Sequence, residues 1–328
     1  MKIKTLIIAE AGVNHNGNLK TAYKLIDQAK YSGADFVKFQ AYETDEICLE
    51  TASLSRYQRD GKFKNQFDML KKYELSKKQI ILLHEYANKK KIRFLLSFFD
   101  IKSLEIIKDI NLDYIKVPSG EISNHLLLKK ISKLNKNVIF STGMSNLIEI
   151  KKAIKILLSN GLSKKKITAL YCISSYPTLP SEIYLPEINK LKKKLKINIG
   201  FSDHSKGKEA IIGSVALGAS IIEKHLTLNN KMKGPDHKAS TEPEELRKII
   251  KSVRNLEKMF IGKNNNKDHI NKKFVRKSLV AAKNINKGEI FSEKNLTLKR
   301  PMIKNNSNKF FKIIGKKSQK KYSKNQLI

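Results

Sequence analysis

The amino-acid sequence predicts an α/β fold, a (β/α)8 barrel, followed by a small C-terminal domain. Eight short apolar runs alternate with amphipathic segments from the N-terminus to about residue 258, and this alternation is typical of repeated β/α units. Eight parallel strands are also the number that closes a barrel of this kind. The length of 328 residues accommodates such a barrel, of about 250 residues, together with one small module.

Each apolar run is a predicted barrel strand. The runs occupy residues 5–9, 36–40, 93–97, 114–117, 137–141, 167–172, 197–201 and 220–225. The segments between them repeat apolar residues at helical spacing, and several end at Asn or Gly, which favour the end of a helix. We therefore assign residues 1–260 to the barrel.

The β/α pattern stops after Met259. Residues 261–273 are polar and rich in Asn and Lys, which is typical of a linker. Residues 274–328 contain short β-like runs and a Lys-Gly-Glu turn. A domain of about 55 residues is marginal for independent stability, so we expect it to dock on another surface.

The formal net charge is +36, and a strongly basic surface can bind nucleic acid. The excess is nearly all lysine scattered over predicted helix faces, and the basic runs lack the interleaved aromatic residues on which bases stack. We therefore predict no nucleic-acid partner. Attraction of anionic substrates is the role that remains open for this charge.

The sequence also argues against a membrane protein and a secreted one. No apolar stretch has the length of a membrane-spanning helix, and the N-terminus lacks the apolar region of a signal peptide. The two cysteines, Cys48 and Cys172, are far apart and lack metal-ligand spacing. We predict a cytoplasmic protein without disulfides.

Polar residues follow the predicted strands at the end where barrel enzymes place their reacting groups. Every strand delivers at least one polar or ionisable side chain to this end. The residues are Glu10, Asn14, His15, Lys38, Gln40, Ser97, Lys116, Ser119, Glu121, Ser141, Thr142, Ser174, Tyr176, Ser202, His204 and His225.

Two of these residues are lysines inside strands, Lys38 and Lys116. Lys38 shares one strand face with Gln40, whereas the other face is apolar. A position facing a helix is the alternative for Lys38. Two lysines with several hydroxyls and histidines suit a trianionic phosphate ester near a metal, and phosphoenolpyruvate is such an ester.

His204 and His225 come at the ends of the seventh and eighth predicted strands, which are neighbours in a barrel. The two imidazoles can converge on one divalent ion, Mn²⁺ first and Mg²⁺ as the alternative, with water and substrate oxygens as the other ligands. A closed structural zinc site would need four protein ligands. A pair of core histidines is the alternative.

Several short motifs occur in order along the chain. They are NHNG at 14–17, KFQ at 38–40, KVPSGEISN at 116–124, STGM at 141–144, SDHS at 202–205, EKHLTL at 223–228, GPDHKAS at 234–240 and KRP at 299–301. In this order and spacing the set resembles the sialic acid synthases, the nonulosonate synthases that include N-acetylneuraminate and legionaminate synthases.

The resemblance implies an antifreeze-like (SAF) domain after the barrel, and a homodimer in which that domain is swapped onto the partner's active site. It implies that phosphoenolpyruvate binds to Lys38, Lys116, Ser119, Ser141, Ser174 and Ser202. It assigns the metal to His204 and His225. It assigns the acceptor sugar to Glu10, Gln40, Glu121, Tyr176, Asp236, Phe274 and Arg300.

The implied reaction joins phosphoenolpyruvate and water to N-acetylmannosamine, or to 2,4-diacetamido-2,4,6-trideoxymannose, and releases phosphate by C–O cleavage. Glu121 is the first candidate for the proton carrier, Glu10 is the next, and Lys116 is a further catalytic residue. Tyr171 and Ile173 differ from the family pattern on the sixth strand, so we expect them to affect the acceptor site.

Two alternatives remain open. One is another phosphoenolpyruvate-dependent synthase, which makes a 3-deoxy acid sugar. The other is a nonenzymatic protein that binds a sugar or a nucleic acid.

Overall fold

The computed structural model describes residues 4–54, 63–262, 267–304 and 306–328. The chain divides into two compact units, Met1–Ile261 and Gly262–Ile328.

Eight parallel strands close a barrel in the first unit, in the order β1 to β8. They are β1 Leu6–Glu10, β2 Phe36–Ala41, β3 Arg93–Phe98, β4 Tyr114–Val117, β5 Asn137–Ser141, β6 Ile167–Cys172, β7 Asn198–Asp203 and β8 Ile221–His225. The predicted (β/α)8 fold is confirmed. The main difference is that β7 continues to Asp203, so that His204 is the first residue after the strand.

Helices surround the barrel and connect its strands. They are α1 Leu19–Ser32, α2 Thr44–Ile47, α3 Gln66–Tyr73, α4 Lys77–Lys89, α5 His125–Lys133, α6 Leu147–Ser159, α7 Glu187–Leu195, α8 Glu209–Ala216 and α9 Pro243–Ile261. Short 3₁₀ helices follow at Ser103–Lys108, Ser119–Glu121, Lys164–Lys166, Pro180–Glu182 and His237–Ala239.

Local sequence signals explain several helix ends. The side chain of Ser76 accepts from the backbone N–H of Gln79, whose side chain accepts from the Ser76 N–H, a capping box that starts α4. Asn146 and Glu149 form the same arrangement before α6. Each box satisfies N–H groups that the first helical turn leaves without partners.

The alternation of side chains along the strands creates two layers inside the barrel. The lower layer is a buried apolar cluster that closes the base of the barrel. Its fully buried members are Ile8, Phe36, Leu95, Ile139, Leu170 and Ile221. Two residues further along each strand, the next inward position therefore lies above an apolar floor.

The other strand face packs against the helices. Residues such as Val37, Phe39 and Phe201 belong to the large cluster between strands and helices. Tyr171 also belongs to this cluster; its ring lies 5.7 Å from that of Phe201, and its hydroxyl accepts from the backbone N–H of Tyr184. Tyr171 therefore faces away from the barrel interior, which contradicts the expectation from the sequence that this residue affects the acceptor site.

The connection between β2 and α4 is long and carries α2 and α3. A small apolar cluster of Val13, Leu54, Met69 and Tyr73 is buried beneath it. The hydroxyl of Tyr42 donates to the carbonyl of Leu70 at 3.0 Å. These contacts attach the connection to the top of the barrel.

The second unit contains α10 Lys267–Val275, β9 Ser278–Ala281, β10 Leu296–Lys299, a 3₁₀ helix Ser307–Lys309 and α11 Phe310–Ile313. β9 and β10 pair antiparallel over a core that includes Leu279, Ile285 and Phe291. Of the predicted linker 261–273, residues 263–266 lie outside the described residues, and α10 begins at Lys267.

In the described ranges, every helix is too short or too polar to cross a membrane.

Candidate active site

A cavity of about 360 Å³ opens at the C-terminal ends of the barrel strands. Its base is the second inward layer, in which each strand contributes one residue. These residues are Glu10, Lys38, Ser97, Lys116, Ser141, Cys172, Ser202 and Glu223. Because the apolar floor lies directly below, this ring of polar side chains is shielded from water on one side.

Two lysines and a glutamate form the centre of this ring. Lys38 Nζ lies 2.8 Å from Glu223 Oε2 and 3.5 Å from Glu10 Oε2. Lys116 Nζ donates to Ser141 Oγ at 2.7 Å and lies 3.8 Å from Glu223 Oε1. The ring therefore concentrates positive charge next to hydroxyl donors, which is the chemistry that binds a phosphate or a carboxylate.

Burial and neighbouring charges separate the pKa values of these groups. Burial lowers the pKa of Lys116 to about 8. Burial also opposes ionisation of Glu223 and Lys38, but their mutual attraction and that of nearby charges prevail: the pKa of Glu223 falls to about 2, and that of Lys38 is raised. Glu223 is therefore ionised at neutral pH.

Glu223 was not selected from the sequence. Alternation along β8 could have found it, because Ile221, Glu223 and His225 share the strand face that points into the barrel. Lys224, between them, points to the other face and donates to Asp203 at 2.7 Å.

Two of the predicted serines, Ser119 and Ser174, approach the same glycine, Gly143. A Cβ atom built at Gly143 would lie 2.7 Å from Ser119 Oγ and 2.9 Å from Ser174 Oγ. Because only a residue without Cβ permits this approach, glycine brings the backbone after β5 against both hydroxyls. Ser119 lines the cavity beside Lys116 and Ser141.

The two predicted metal ligands lie side by side, with ring centroids 5.6 Å apart. His204 Nδ1 donates to the carbonyl of Ile173 at 2.6 Å, so Nε2 of the neutral ring carries the lone pair. The hydroxyls of Tyr176 and Ser202 lie 3.3 Å and 3.4 Å from this nitrogen. His225 Nδ1 is buried without a hydrogen-bond partner, 3.8 Å from Asp236 Oδ2. Burial lowers the pKa of both histidines, so both are neutral, as metal ligands must be.

These residues fit one divalent ion that takes its other ligands from water and substrate. Within the described ranges, no group of three or more His, Cys, Asp and Glu side chains has the arrangement of a complete metal site. The metal assignment therefore stays a prediction, carried by the two neutral imidazoles.

Three other predicted residues surround Gly12. A Cβ atom at Gly12 would lie 3.4 Å from Glu10 Oε1 and from Asp236 Oδ2, and 3.6 Å from Gln40 Nε2. Burial raises the pKa of Glu10 to about 7 and that of Asp236 to about 6. The ring of Tyr176 stacks on His204, with centroids 4.2 Å apart. This side of the cavity therefore offers proton-exchanging carboxyls close to the histidines.

Glu121 lies on the rim of the cavity, half-buried. Its carboxylate accepts from Asn124 Nδ2 at 2.8 Å, and burial raises its pKa. Of the residues predicted to hold substrates or the metal, all line the cavity except Ser174, Phe274 and Arg300. Ser174 is exposed and lies beside Gly143. Phe274 and Arg300 belong to the second unit and are exposed there.

Apolar residues form another side of the cavity that the sequence analysis did not predict. Ile47, Met69 and Leu70 come from the connection that carries α2 and α3. Val13 and Phe99, which follow β1 and β3, extend this surface.

The family profile described as "NeuB family" matches residues 25–265, and the SAF domain profile matches residues 276–328. The chain is 45% identical over 330 residues to the N,N'-diacetyllegionaminic acid synthase of Campylobacter jejuni, covering 99% of both chains. It is 36% identical to the N,N'-diacetyllegionaminic acid synthase of Legionella pneumophila, covering 90% of this chain and 85% of that one.

The chain is also similar to a solved structure of a related synthetase. The N-acetylneuraminic acid synthetase of Leptospira borgpetersenii, in complex with citrate, superposes with a TM-score of 0.71 at 34% identity. The match covers 82% of this chain and 91% of that chain.

Proposed function

Because the chain belongs to the NeuB family, whose members condense phosphoenolpyruvate with a sugar, we propose that its acceptor is an N-acetylated mannosamine-type sugar and its product a sialic-acid-type nonulosonate. The acceptor is N-acetylmannosamine or 2,4-diacetamido-2,4,6-trideoxymannose. The names of the Campylobacter and Legionella relatives support the second sugar.

The ring of buried lysines and hydroxyls is the observation that carries the proposed use of phosphoenolpyruvate. Phosphoenolpyruvate brings a phosphate and a carboxylate, and both need cationic or hydroxyl donors once they leave water. Lys38 and Lys116 provide the charge at the base of the cavity. The hydroxyl donors assigned to the same substrate are Ser119, Ser141, Ser174 and Ser202.

The reaction forms one carbon–carbon bond and one carbon–oxygen bond to water, and it breaks the carbon–oxygen bond to phosphate. C3 of phosphoenolpyruvate uses its π electrons to attack C1 of the open-chain aldehyde, whose oxygen becomes a hydroxyl. Water adds its oxygen at C2, and the C2–O bond to phosphate then breaks with its electrons. One proton of the water ends on the new hydroxyl and the other on the departing phosphate.

A carboxyl group with a pKa near neutrality is suited to carry these protons. Glu121 was the first candidate from the sequence, with Glu10 next. The deep burial of Glu10 and its pKa of about 7 support Glu10 as the carrier, because it can give and take a proton at neutral pH. Glu121 then has the role of contacting the acceptor at the rim.

His204 and His225 would hold a divalent ion, Mn²⁺ first and Mg²⁺ as the alternative. Such an ion, when bound, supplies Lewis-acid polarisation of the aldehyde oxygen. Tyr176, Gln40 and Asp236 position the sugar beside them.

We also propose that the protein is a homodimer with a swapped SAF domain, through which Phe274 and Arg300 reach the partner's acceptor site. Exposure of both side chains in the second unit is compatible with this role. We propose that the protein is located in the cytoplasm. Cys48 and Cys172 are both free thiols, which is compatible with a reducing compartment.

Phosphate release tests the proposal. Purified protein with Mn²⁺ and phosphoenolpyruvate is expected to release phosphate with at least one of the two acceptors and not with a phosphorylated aldose. Phosphoenolpyruvate labelled with ¹⁸O at the bridging oxygen is expected to deliver the label to phosphate. Absence of release with both acceptors contradicts the proposed function, and label in the sugar contradicts C–O cleavage.

A further inference from the structure

The cavity has two chemically different sides. The side formed after β4 and β5 carries Ser119 and Ser141 beside Lys116, and the exposed Ser174 lies next to Ser119 at Gly143. The side formed after β1, β2 and β3 is apolar and includes Val13, Ile47, Met69, Leu70 and Phe99. In a closed barrel of eight strands in this order, β5 and β6 lie opposite β1 and β2, whereas β3 and β4 are neighbours.

Buried contacts hold the apolar side together. Met69 is buried in the cluster with Val13, Leu54 and Tyr73. Glu74, just after α3, accepts from the backbone N–H of Thr44 at 2.9 Å and from its hydroxyl at 2.6 Å. These contacts fix α2 and α3 to each other, so the apolar surface is formed before any ligand binds.

One amide lies among these apolar side chains. Gln66, the first residue of α3, lines the cavity. Among the described residues, the Gln66 side chain contacts the Cys48 thiol, whose Sγ lies 3.9 Å from Gln66 Oε1. A thiol is a weak donor, so this amide can pair with a polar group of a ligand.

The geometry of the proposed reaction fixes which part of the acceptor reaches this side. Phosphoenolpyruvate occupies the serine and lysine side, and C1 of the sugar must approach its C3 near Glu10 and the two histidines. The carbon chain of the sugar then extends away from the serines. C4, C5 and C6 are thereby directed at the apolar side.

We infer that Ile47, Gln66, Met69 and Leu70, here called the α2–α3 wall, bind the distal half of the acceptor and select the 2,4-diacetamido-6-deoxy sugar over N-acetylmannosamine. This inference rests on the proposed function. The apolar side chains match the C6 methyl and the methyl of the second acetamido group. The Gln66 amide offers both a donor and an acceptor to that acetamido group.

The same wall disfavours N-acetylmannosamine for a physical reason. The C6 and C4 hydroxyls of N-acetylmannosamine would lose water against apolar side chains and would find few hydrogen-bond partners. Burial of a hydroxyl without such partners is costly. The expected preference in kcat/KM is about tenfold or more, the order that a small change in an apolar pocket produces.

The test compares both acceptors at saturating phosphoenolpyruvate. The wild-type protein is expected to have the higher kcat/KM for the diacetamido sugar. Ile47→Asn and Leu70→Asn each place an amide in the wall at a partly buried position, and each is expected to lower the ratio of the two kcat/KM values about tenfold. Gln66→Met keeps the size but removes the amide, and is expected to lower kcat/KM for the diacetamido sugar alone.

Leu49→Asn is the matched control. Leu49 lies in the same connection but is 77% exposed and does not line the cavity, so its replacement is expected to leave the ratio unchanged. An unchanged KM for phosphoenolpyruvate checks that each variant retains the rest of the site.

The possible failures are distinguishable. The assignment of the wall is overturned if all three wall variants turn over with the wild-type ratio of the two kcat/KM values. It is also overturned if the wild-type protein prefers N-acetylmannosamine. Either result leaves the proposed function standing. Phosphate release with neither sugar overturns both.

Discussion

Lys38 and Glu223 form a buried ion pair across the closure of the barrel, with Nζ 2.8 Å from Oε2. The other oxygen of the same carboxylate accepts from Ser202 Oγ at 3.0 Å and lies 3.8 Å from Lys116 Nζ. One carboxylate thus attracts two lysines that would otherwise repel each other. It also reduces the cost of keeping both lysines charged away from water.

Replacement of this carboxylate is expected to change the pH dependence of phosphoenolpyruvate use. Burial lowers the pKa of Lys116 to about 8, and Glu223 raises it toward its ordinary value. In Glu223→Gln that support is lost, so Lys116 releases its proton at a lower pH. The alkaline limb of kcat/KM for phosphoenolpyruvate is expected to move down by about one pH unit. Glu105→Gln, at an exposed position, is the control; equal profiles for both variants and the wild type would exclude this role of Glu223.

The two candidate proton carriers are expected to differ in their effect on turnover. Glu10→Gln removes a group of pKa about 7 without changing its size, and is expected to lower kcat by about 10²- to 10⁴-fold. Glu121→Gln, at the half-buried rim, is expected to act less on kcat than on KM for the acceptor. The rate of phosphate release, measured against acceptor concentration, gives kcat and KM for both variants. A larger loss of kcat in Glu121→Gln would reverse the assignment.

The histidine pair is expected to control metal binding. His204→Ala and His225→Ala are each expected to abolish Mn²⁺ binding, measured by titration calorimetry or electron paramagnetic resonance, and to remove metal-dependent turnover. The physical reason is that two neutral imidazoles are the protein's share of the ligands. His125→Ala, at an exposed position, serves as the control. Wild-type Mn²⁺ affinity in either active-site variant would contradict the assignment.

The pair of Lys224 and Asp203 is expected to contribute to stability. Nζ donates to Asp203 Oδ2 at 2.7 Å and also to the carbonyl of Ser205, and both side chains are buried. Lys224→Met leaves a buried carboxylate without its cation, so the free energy of unfolding is expected to fall by about 3–5 kcal/mol. Lys190→Met, which breaks an exposed pair with Glu187, is the control and is expected to leave the free energy of unfolding nearly unchanged.

A double-mutant cycle in urea completes this test. The Asp203→Asn replacement removes the charge that Lys224→Met leaves unpaired. The double variant is therefore expected to be more stable than the sum of the single losses predicts. Additive losses would show that the two side chains do not stabilise each other.

The sequence alone determined the barrel and much of its site. Strand positions follow from short apolar runs, and the C-terminal ends of parallel strands meet at one end of a barrel. The sequence alone therefore places Lys38, Lys116, His204 and His225 at the same end of the barrel. The sequence also identified the family, which the comparisons confirm.

The tertiary structure decided which of these side chains touch each other and how they ionise. Glu223 meets Lys38 because the barrel closes β8 against β1, a contact between residues distant in sequence. Burial then raises the pKa of Glu10, and Lys38 and Glu223, which the barrel places beside it, also shift this pKa. The α2–α3 wall likewise exists because the connection after β2 packs on its own apolar cluster. Periodicity specifies which face of a strand or helix is apolar, whereas partners across the cavity depend on how the faces assemble.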